Sequence, residues 1–596
     1  MEKIKEIINS RKGKWLLAFG LTFLCYAIVL LTADVSYATN DDSRIMYALA
    51  GYASGEAYPQ QAFINYFLGV PIGVLYKLLP SLPWYTIYHI FAMYLSESVM
   101  FLCFYKLAKD KKVSIAFPIC AQIISLLFIF MVPLVSIQFT VTSTILGTSA
   151  VVVMASMKHS DKRSTKICIY AYCFIALLLS FMTRTLSWYS IMCFFALSCV
   201  YQIATCYLYC PDLTKKKKHL HTLKICTFVI ALVISCFGVR FVSLYIKNKS
   251  EITQAYNTYN DYRVKYMDYG QHPPYKGHEK LYNAVQWDNS TYRATLCLLY
   301  MDENINASSL KTITEAYQAN KHSALSKTVT NIRELLYDYS FVQYSLLSIF
   351  LIFVILNLMV AKKEKQWFHI LVSICCCGGF AVLLLYLGFK GRLPLRSYQS
   401  LLIPCFMFMM TMFLRWLDVS YKKVFKPMLA ITLVVSVGGI YMVYIDKDYA
   451  ATQKNTEATS EQFQNFEQYA IQNPEHFYVY DFSAGTVNRN PFVVYPNEKP
   501  INTMVAGGSY TFSELYYQQL EKNGLTSLYW EDLLKKNIYF TSANPTYVEV
   551  AQMNIERVTK HKVKVKEIKR FGENTKGITV YKFSAAETSK KKDSHK

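Results

Sequence analysis

The chain has 596 residues, 53% of them hydrophobic, 15% aromatic and only 17% charged, with a formal net charge of +23. Its repeated apolar runs of about 18 residues or more are long enough to cross a bilayer as helices, which excludes a soluble globular domain. The positive excess lies in short Lys/Arg clusters between those runs, where it orients helices; with no recognition motif beside it, a nucleic-acid partner is excluded too.

Taken in chain order, about eleven spans are predicted on the twenty-residue criterion. They run Trp15 to Thr32, Trp84 to Tyr105, Ile115 to Val135, Phe139 to Met157, Ile167 to Thr183, Leu186 to Tyr207, Ile225 to Ile246, Phe341 to Val360, Trp367 to Leu387, Leu401 to Trp416 and Pro427 to Ile445. The first is too long for a cleaved signal and no small-residue cleavage site follows it, so it is expected to be retained. Basic clusters precede span one and recur at Lys106 to Lys112, Lys158 to Lys166, Lys215 to Lys224, Lys362 to Lys365 and Lys422 to Lys426. Every second connection is therefore basic, which predicts a cytoplasmic N-terminus and an extracellular C-terminal region.

On that map residues 1–445 form a multi-span domain with outer loops at 34–83 and 247–339, residues 446–585 an extracytoplasmic α/β domain, and 586–596 a disordered basic tail. In the second loop, helices are expected at Ser250 to Tyr266, Ala307 to Ala319 and Ala324 to Tyr337. After Lys447 a polar helix is expected from Thr456 to Ile471. "HFYVYDFS", "NPFVVYP", "NIYFTSAN" and "GITVYKFS" then read as strands, with a helix at Ser513 to Asn523. Nearly all of the 16 cysteines fall inside apolar runs, where thiols pack as small hydrophobes, and no disulfide framework or paired CxxC is visible.

The stretch "VSYATNDDSRIMYALAGYASGEAYPQQ" follows span one and carries two adjacent carboxylates, Asp41 and Asp42, ahead of a run whose spacing suits a helix lying on the membrane surface. A second stretch, "AFINYFLGVPIGVLYKLLPSLP", is broken by Gly and Pro and reads as interfacial or re-entrant. Span, acidic pair and juxtamembrane helices together resemble the first outer loop of the GT-C superfamily of integral-membrane glycosyltransferases, which use polyprenyl-phosphate-linked sugars. The resemblance implies that Asp41 or Asp42, with Asp34 a weaker candidate, serves as general base for an acceptor hydroxyl or helps hold a divalent cation such as Mg²⁺ or Mn²⁺. Its motif is two residues wide, and the same pair also reads as an acidic N-cap for the helix starting near Arg44. "TNDD", "LPSLPWY", "YRVKYMDY" and "GRLPLRSY" also resemble elements of polytopic proteins of Gram-positive bacteria.

Sugar transfer from a lipid phosphate needs cations to neutralise the leaving phosphate. "GFKGRLPLRSYQ" supplies Lys390, Arg392 and Arg396 between spans nine and ten, on the outer side against the orientation rule. Arginine binds phosphate in a fork, although snorkelling to lipid headgroups gives such residues an equal explanation. Arg184, at the outer end of span five, is a third cation for the same cavity or a short-turn anchor. Arg240, deeper in span seven, should face protein or water.

Glu97 lies near the middle of span two, where a carboxylate must be protonated, paired or wetted. It marks either a polar path through the bilayer or a neutral side chain held by Ser96 and Ser98. His272 and His278 make a weak metal pair, and Arg263 is expected to pair with Asp268. No P-loop, HExxH, GxSxG or dinucleotide fingerprint is present, and the cytosolic loops are too short for a nucleotide domain.

The leading expectation is therefore a hexosyl or pentosyl transferase of the cell membrane. It would move sugar from a polyprenyl-phosphate donor to a surface glycan, teichoic-type polymer or lipid, with membrane lipids around it. The alternative is a non-enzymatic transporter or scaffold for lipid-linked or cell-wall polysaccharide.

Overall fold

The computed structural model describes residues 10–110, 114–317, 324–338, 340–361, 367–390, 393–416, 437–438, 440–441, 460–484, 489–572 and 577–586. The expected last span, Pro427 to Ile445, falls almost wholly outside them, as does the basic tail. The chain is a multi-pass α-helical membrane protein. Among the described residues nine helices are long and apolar enough to cross a bilayer, and a bent pair makes a tenth if counted as one span.

In chain order these begin with α1 (Arg11–Thr32), followed by two short helices, α2 (Asn40–Ala50) and α3 (Tyr66–Leu78). At 13 residues α3 is too short to span, and it carries Pro71. Then come α4 (Trp84–Asp110), α5 (Ala116–Val135, with a π-turn at Ser125–Phe130), α6 (Phe139–Ser156), α7 (Arg163–Thr183), α8 (Thr185–Tyr209) and α9 (Lys215–Lys247). The segment after α9 folds as α10 (Glu251–Arg263), α11 (Glu279–Ala284), α12 (Asn289–Leu296), α13 (Ala307–Ala316) and α14 (Ala324–Asp338). The bundle resumes with α15 (Ser340–Ala361), α16 (Trp367–Phe389) and α17 (Leu395–Trp416).

Helix α6 is the axis of the bundle, with every residue buried. Its sequence, FTVTSTILGTSAVVVMAS, is rich in small and hydroxylated residues, which let neighbouring helices approach closely inside a membrane. Ser143 donates to the Ser180 carbonyl at 2.8 Å on α7, and Thr144 to Ser400 at 3.0 Å on α17. A Cβ on Gly147 would lie 2.7 Å from Ile191 of α8, so only glycine admits that contact.

Two short strands tie the segment between α1 and α4 to the start of α6. β1 (Ser36–Tyr37) pairs in parallel with β2 (Ser136–Ile137), which brings the chain entering α2 beside Phe139.

The C-terminal region opens with α18 (Ser460–Gln472) and builds a five-stranded sheet in the order β4-β3-β5-β7-β6. Its strands are β3 (Phe477–Tyr480), β4 (Thr503–Val505), β5 (Ile538–Ser542), β6 (Val563–Phe571) and β7 (Ile578–Ala585). β4, β3 and β5 run parallel, while β7 and β6 close the other edge antiparallel. Helices α19 (Glu514–Lys522) and α20 (Pro545–Thr559) complete the α/β unit.

One expected strand does not form. The segment "NPFVVYP" joins no ladder: Asn490 turns the chain by accepting the Phe492 N–H at 2.9 Å, and the Pro491 carbonyl is taken by Thr86 of α4 at 2.5 Å. Proline at both ends of so short a run leaves too few donors for a ladder.

Candidate functional site

The acidic pair lies in the first turn of α2 rather than at its cap, which is Thr39. Carboxylates there are favoured by the helix dipole, but the two side chains have different surroundings. Asp42 is wholly buried and accepts hydrogen bonds from Thr39 Oγ1 at 2.8 Å, Tyr85 Oη at 3.1 Å and the Phe139 N–H at 3.0 Å. These bonds fasten α2 to α4 and to the start of α6. Burial pushes the Asp42 carboxyl up to about 7, against the pull of those donors.

Asp41 is half-buried, and among the described residues it takes no hydrogen bond. Its charge is felt by Asp42, Arg44, Tyr256 and Tyr510, which sets it beside α10 and the C-terminal unit.

Of the expected phosphate-binding cations, Arg184 comes to Phe139, the residue that donates to Asp42. It links α7 to α8, and its guanidinium lies 5.2 Å from the ring centre of Phe139 and 5.3 Å from that of Phe63. Phe139 thus gives its N–H to Asp42 and its ring to Arg184. Arg396, half-buried in the first turn of α17, accepts from Ser400 at its carbonyl, and Ser400 is bonded to Thr144 of α6. It therefore belongs to the end of the bundle where α6 begins. Lys390 is exposed just beyond α16, 5.7 Å from the Tyr386 ring centre. Arg392 lies outside the described residues.

Several polar residues at this end were not singled out in the sequence. The buried Glu467 of α18 accepts from Tyr47 of α2, from Arg489, and from Tyr495 at 2.6 Å. Burial raises the Glu467 carboxyl, with Arg489 opposing that rise. Arg44 of α2 reaches into the C-terminal unit, donating to the Gly507 carbonyl at 3.2 Å and lying 4.6 Å from the Phe482 ring centre. It passes so close to Gly508, whose φ is +113°, that a Cβ there would meet Arg44 Nη1 at 2.3 Å. A cavity of about 70 Å³ lies in this seam, lined by Arg44, Tyr47, Tyr480, Arg489 and Tyr510 among others. That is room for a few waters, below the roughly 300 Å³ of a small-molecule site. No local pattern links residue 44 to residues 467–510, so only the fold reveals this cluster.

The remaining expectations separate from the site. Glu97 is wholly buried between α1 and α4, where Tyr26 donates to it at 2.8 Å; its partner is that tyrosine, not Ser96 or Ser98. It lines neither of the two cavities described for this structure. Arg240 is exposed on the outside of α9 and donates to Tyr189 at 3.2 Å, so it does not face the protein interior. Arg263 and Asp268 do pair, at 3.9 Å. His272 stacks on Tyr266 while the exposed His278 approaches the Pro274 carbonyl, and among the described residues they join no metal-ligating group.

No family model matches the chain. No curated protein is matched either. Among solved structures, the crystal structure of ArnT from Cupriavidus metallidurans bound to undecaprenyl phosphate is similar over 96% of this chain and 98% of that one, at 10% identity and a TM-score of 0.37. A likeness of that degree carries no argument about what this chain does.

Proposed function

We propose that the chain transfers a hexosyl or pentosyl unit from a polyprenyl-phosphate donor to a hydroxyl of a cell-surface glycan, teichoic-type polymer or lipid. The reading takes the end of the bundle that carries α2 as its extracellular end and a Gram-positive membrane as its home. The observation that supports it best is that α2 carries a half-buried carboxylate, Asp41, with no hydrogen bond among the described residues, next to Asp42, whose donor Phe139 has Arg184 over its ring.

In this reaction the acceptor oxygen attacks the anomeric carbon, its proton passes to Asp41, and the bond to the lipid phosphate breaks with its electron pair leaving on the phosphate. Arg184 and Arg396, with Lys390 and Arg392, neutralise the charge that develops there. Asp42 is a positioning residue. Geometry decides between the carboxylates before acidity does, and both oxygens of Asp42 are committed to donors of the protein.

The described residues do not build a protein-only cage for Mg²⁺ or Mn²⁺. Asp42 has no open face, and no third acidic or histidine side chain joins the pair.

The test is turnover by detergent-purified protein with a panel of polyprenyl-phosphate sugars. Asp41→Asn should lower the rate by about 10² to 10⁴, the usual worth of a positioned base. An unchanged rate for Asp41→Asn would remove the base and with it this reading.

A further inference from the structure

At the opposite end of the bundle from Asp41, three side chains from separate elements converge. His159 lies in the turn between α6 and α7, Cys206 near the end of α8 and His221 in the second turn of α9. Their metal-binding atoms all lie within 4.8 Å of one another. Two imidazoles and one thiol form a donor set suited to a zinc ion with its fourth position open.

The surroundings fit that use. The Nε2 atom of His221 is buried without a hydrogen-bond partner, while its ring is held from the other side by the Gln202 carbonyl. A ligating histidine is usually fixed in this way, with one nitrogen tied to a carbonyl and the other presented to the ion. The Gln202 side chain in turn donates to the carbonyls of Met154, Ala155 and Met157 at 2.8, 3.1 and 3.0 Å, which pins the turn that carries His159. Tetrahedral zinc bonds of about 2.0 to 2.3 Å place donors roughly 3.5 Å apart, so a closure of about an ångström completes the set.

Lys166 and Lys224 lie near His221, and Lys166 and Arg415 near His159. Their charge opposes a bare cation, which makes the thiolate of Cys206 the indispensable ligand. We infer that His159, Cys206 and His221 form a zinc-binding site at the end of the bundle remote from the proposed transferase site. The spacings of 47 and 15 residues match no zinc motif, so the site is invisible in the sequence.

The experiment uses the full chain in detergent, stripped with a chelator, titrated with Zn²⁺ against a chromogenic competitor, and separately loaded with Co²⁺ for absorption. Wild type is expected to take up one Zn²⁺ per chain and to show a thiolate-to-cobalt charge-transfer band. Cys206→Ser should lose the band, and Cys193→Ser, at an exposed thiol away from the site, should keep it. His221→Cys adds a second thiolate and should intensify the band, so the site is testable even if Cys206→Ser fails to fold. Zinc uptake by Cys206→Ser equal to that of wild type, or a His221→Cys band no stronger than wild type, would overturn the inference.

Discussion

Asp41 and Asp42 are neighbours with opposite tasks, and their burial separates them. Truncating Asp42 to Ala strands three buried donors, each costing roughly 1 to 3 kcal/mol, whereas Asp42→Asn keeps an acceptor and should cost less. Thermal unfolding in detergent should rank the variants in that order.

The pH dependence of stability carries a definite sign at the same residue. Burial lifts the carboxyl from an ordinary 3.8 to about 7, so between those values the folded chain holds a proton that the unfolded chain has released. Stability from this group is therefore present at low pH and lost as the pH rises through about 7. Asp481, also buried and also raised to about 7, adds a slope of the same sign. The melting temperature is expected to fall from pH 5 to pH 8, and Asp42→Asn to flatten part of that fall.

Among the elements, α2 matters most because both halves of the molecule grip it. Its Asp42 holds the bundle, while its Arg44 and Tyr47 hold the C-terminal unit, with Glu467 and Arg489 buried at 0% and 4% exposure. Removing one partner of a buried ion pair leaves the other unpaired, at a cost of about 3 to 5 kcal/mol. Arg489→Ala should thus loosen the seam, measured as faster proteolysis or amide exchange in α18 and α2. In the bundle, Gly147→Val should disrupt the α6–α8 contact with Ile191 and cost about 1 to 3 kcal/mol, read as a lower melting temperature.

Across the whole molecule, what the sequence revealed follows the range of the forces involved. Apolar length is a local property, and the expected spans through Trp416 correspond to helices among the described residues. The helix after the acidic pair was legible, although its start was placed near Arg44 and lies at Asn40, and so was the pairing of Arg263 with Asp268, because both depend on residues a few positions apart. The β6 strand, VKVKEIKRF, was missed because its charged residues mask the alternation of an exposed edge. "NPFVVYP" was misread because its main-chain groups are taken by Thr86 of α4 and by Tyr52, just beyond α2, and not by a ladder. The burial of Asp42 and the Glu467–Arg489 pair depend on which distant segments meet, and no window of sequence contains that.

The most direct test compares Asp41→Asn and Asp42→Asn in single-turnover sugar transfer from a polyprenyl-phosphate donor, with the folded fraction of each variant measured alongside. The expected result is a loss of about 10² or more for Asp41→Asn at an unchanged folded fraction, with Asp42→Asn losing rate chiefly as it loses stability. Full turnover by folded Asp41→Asn protein would contradict the account.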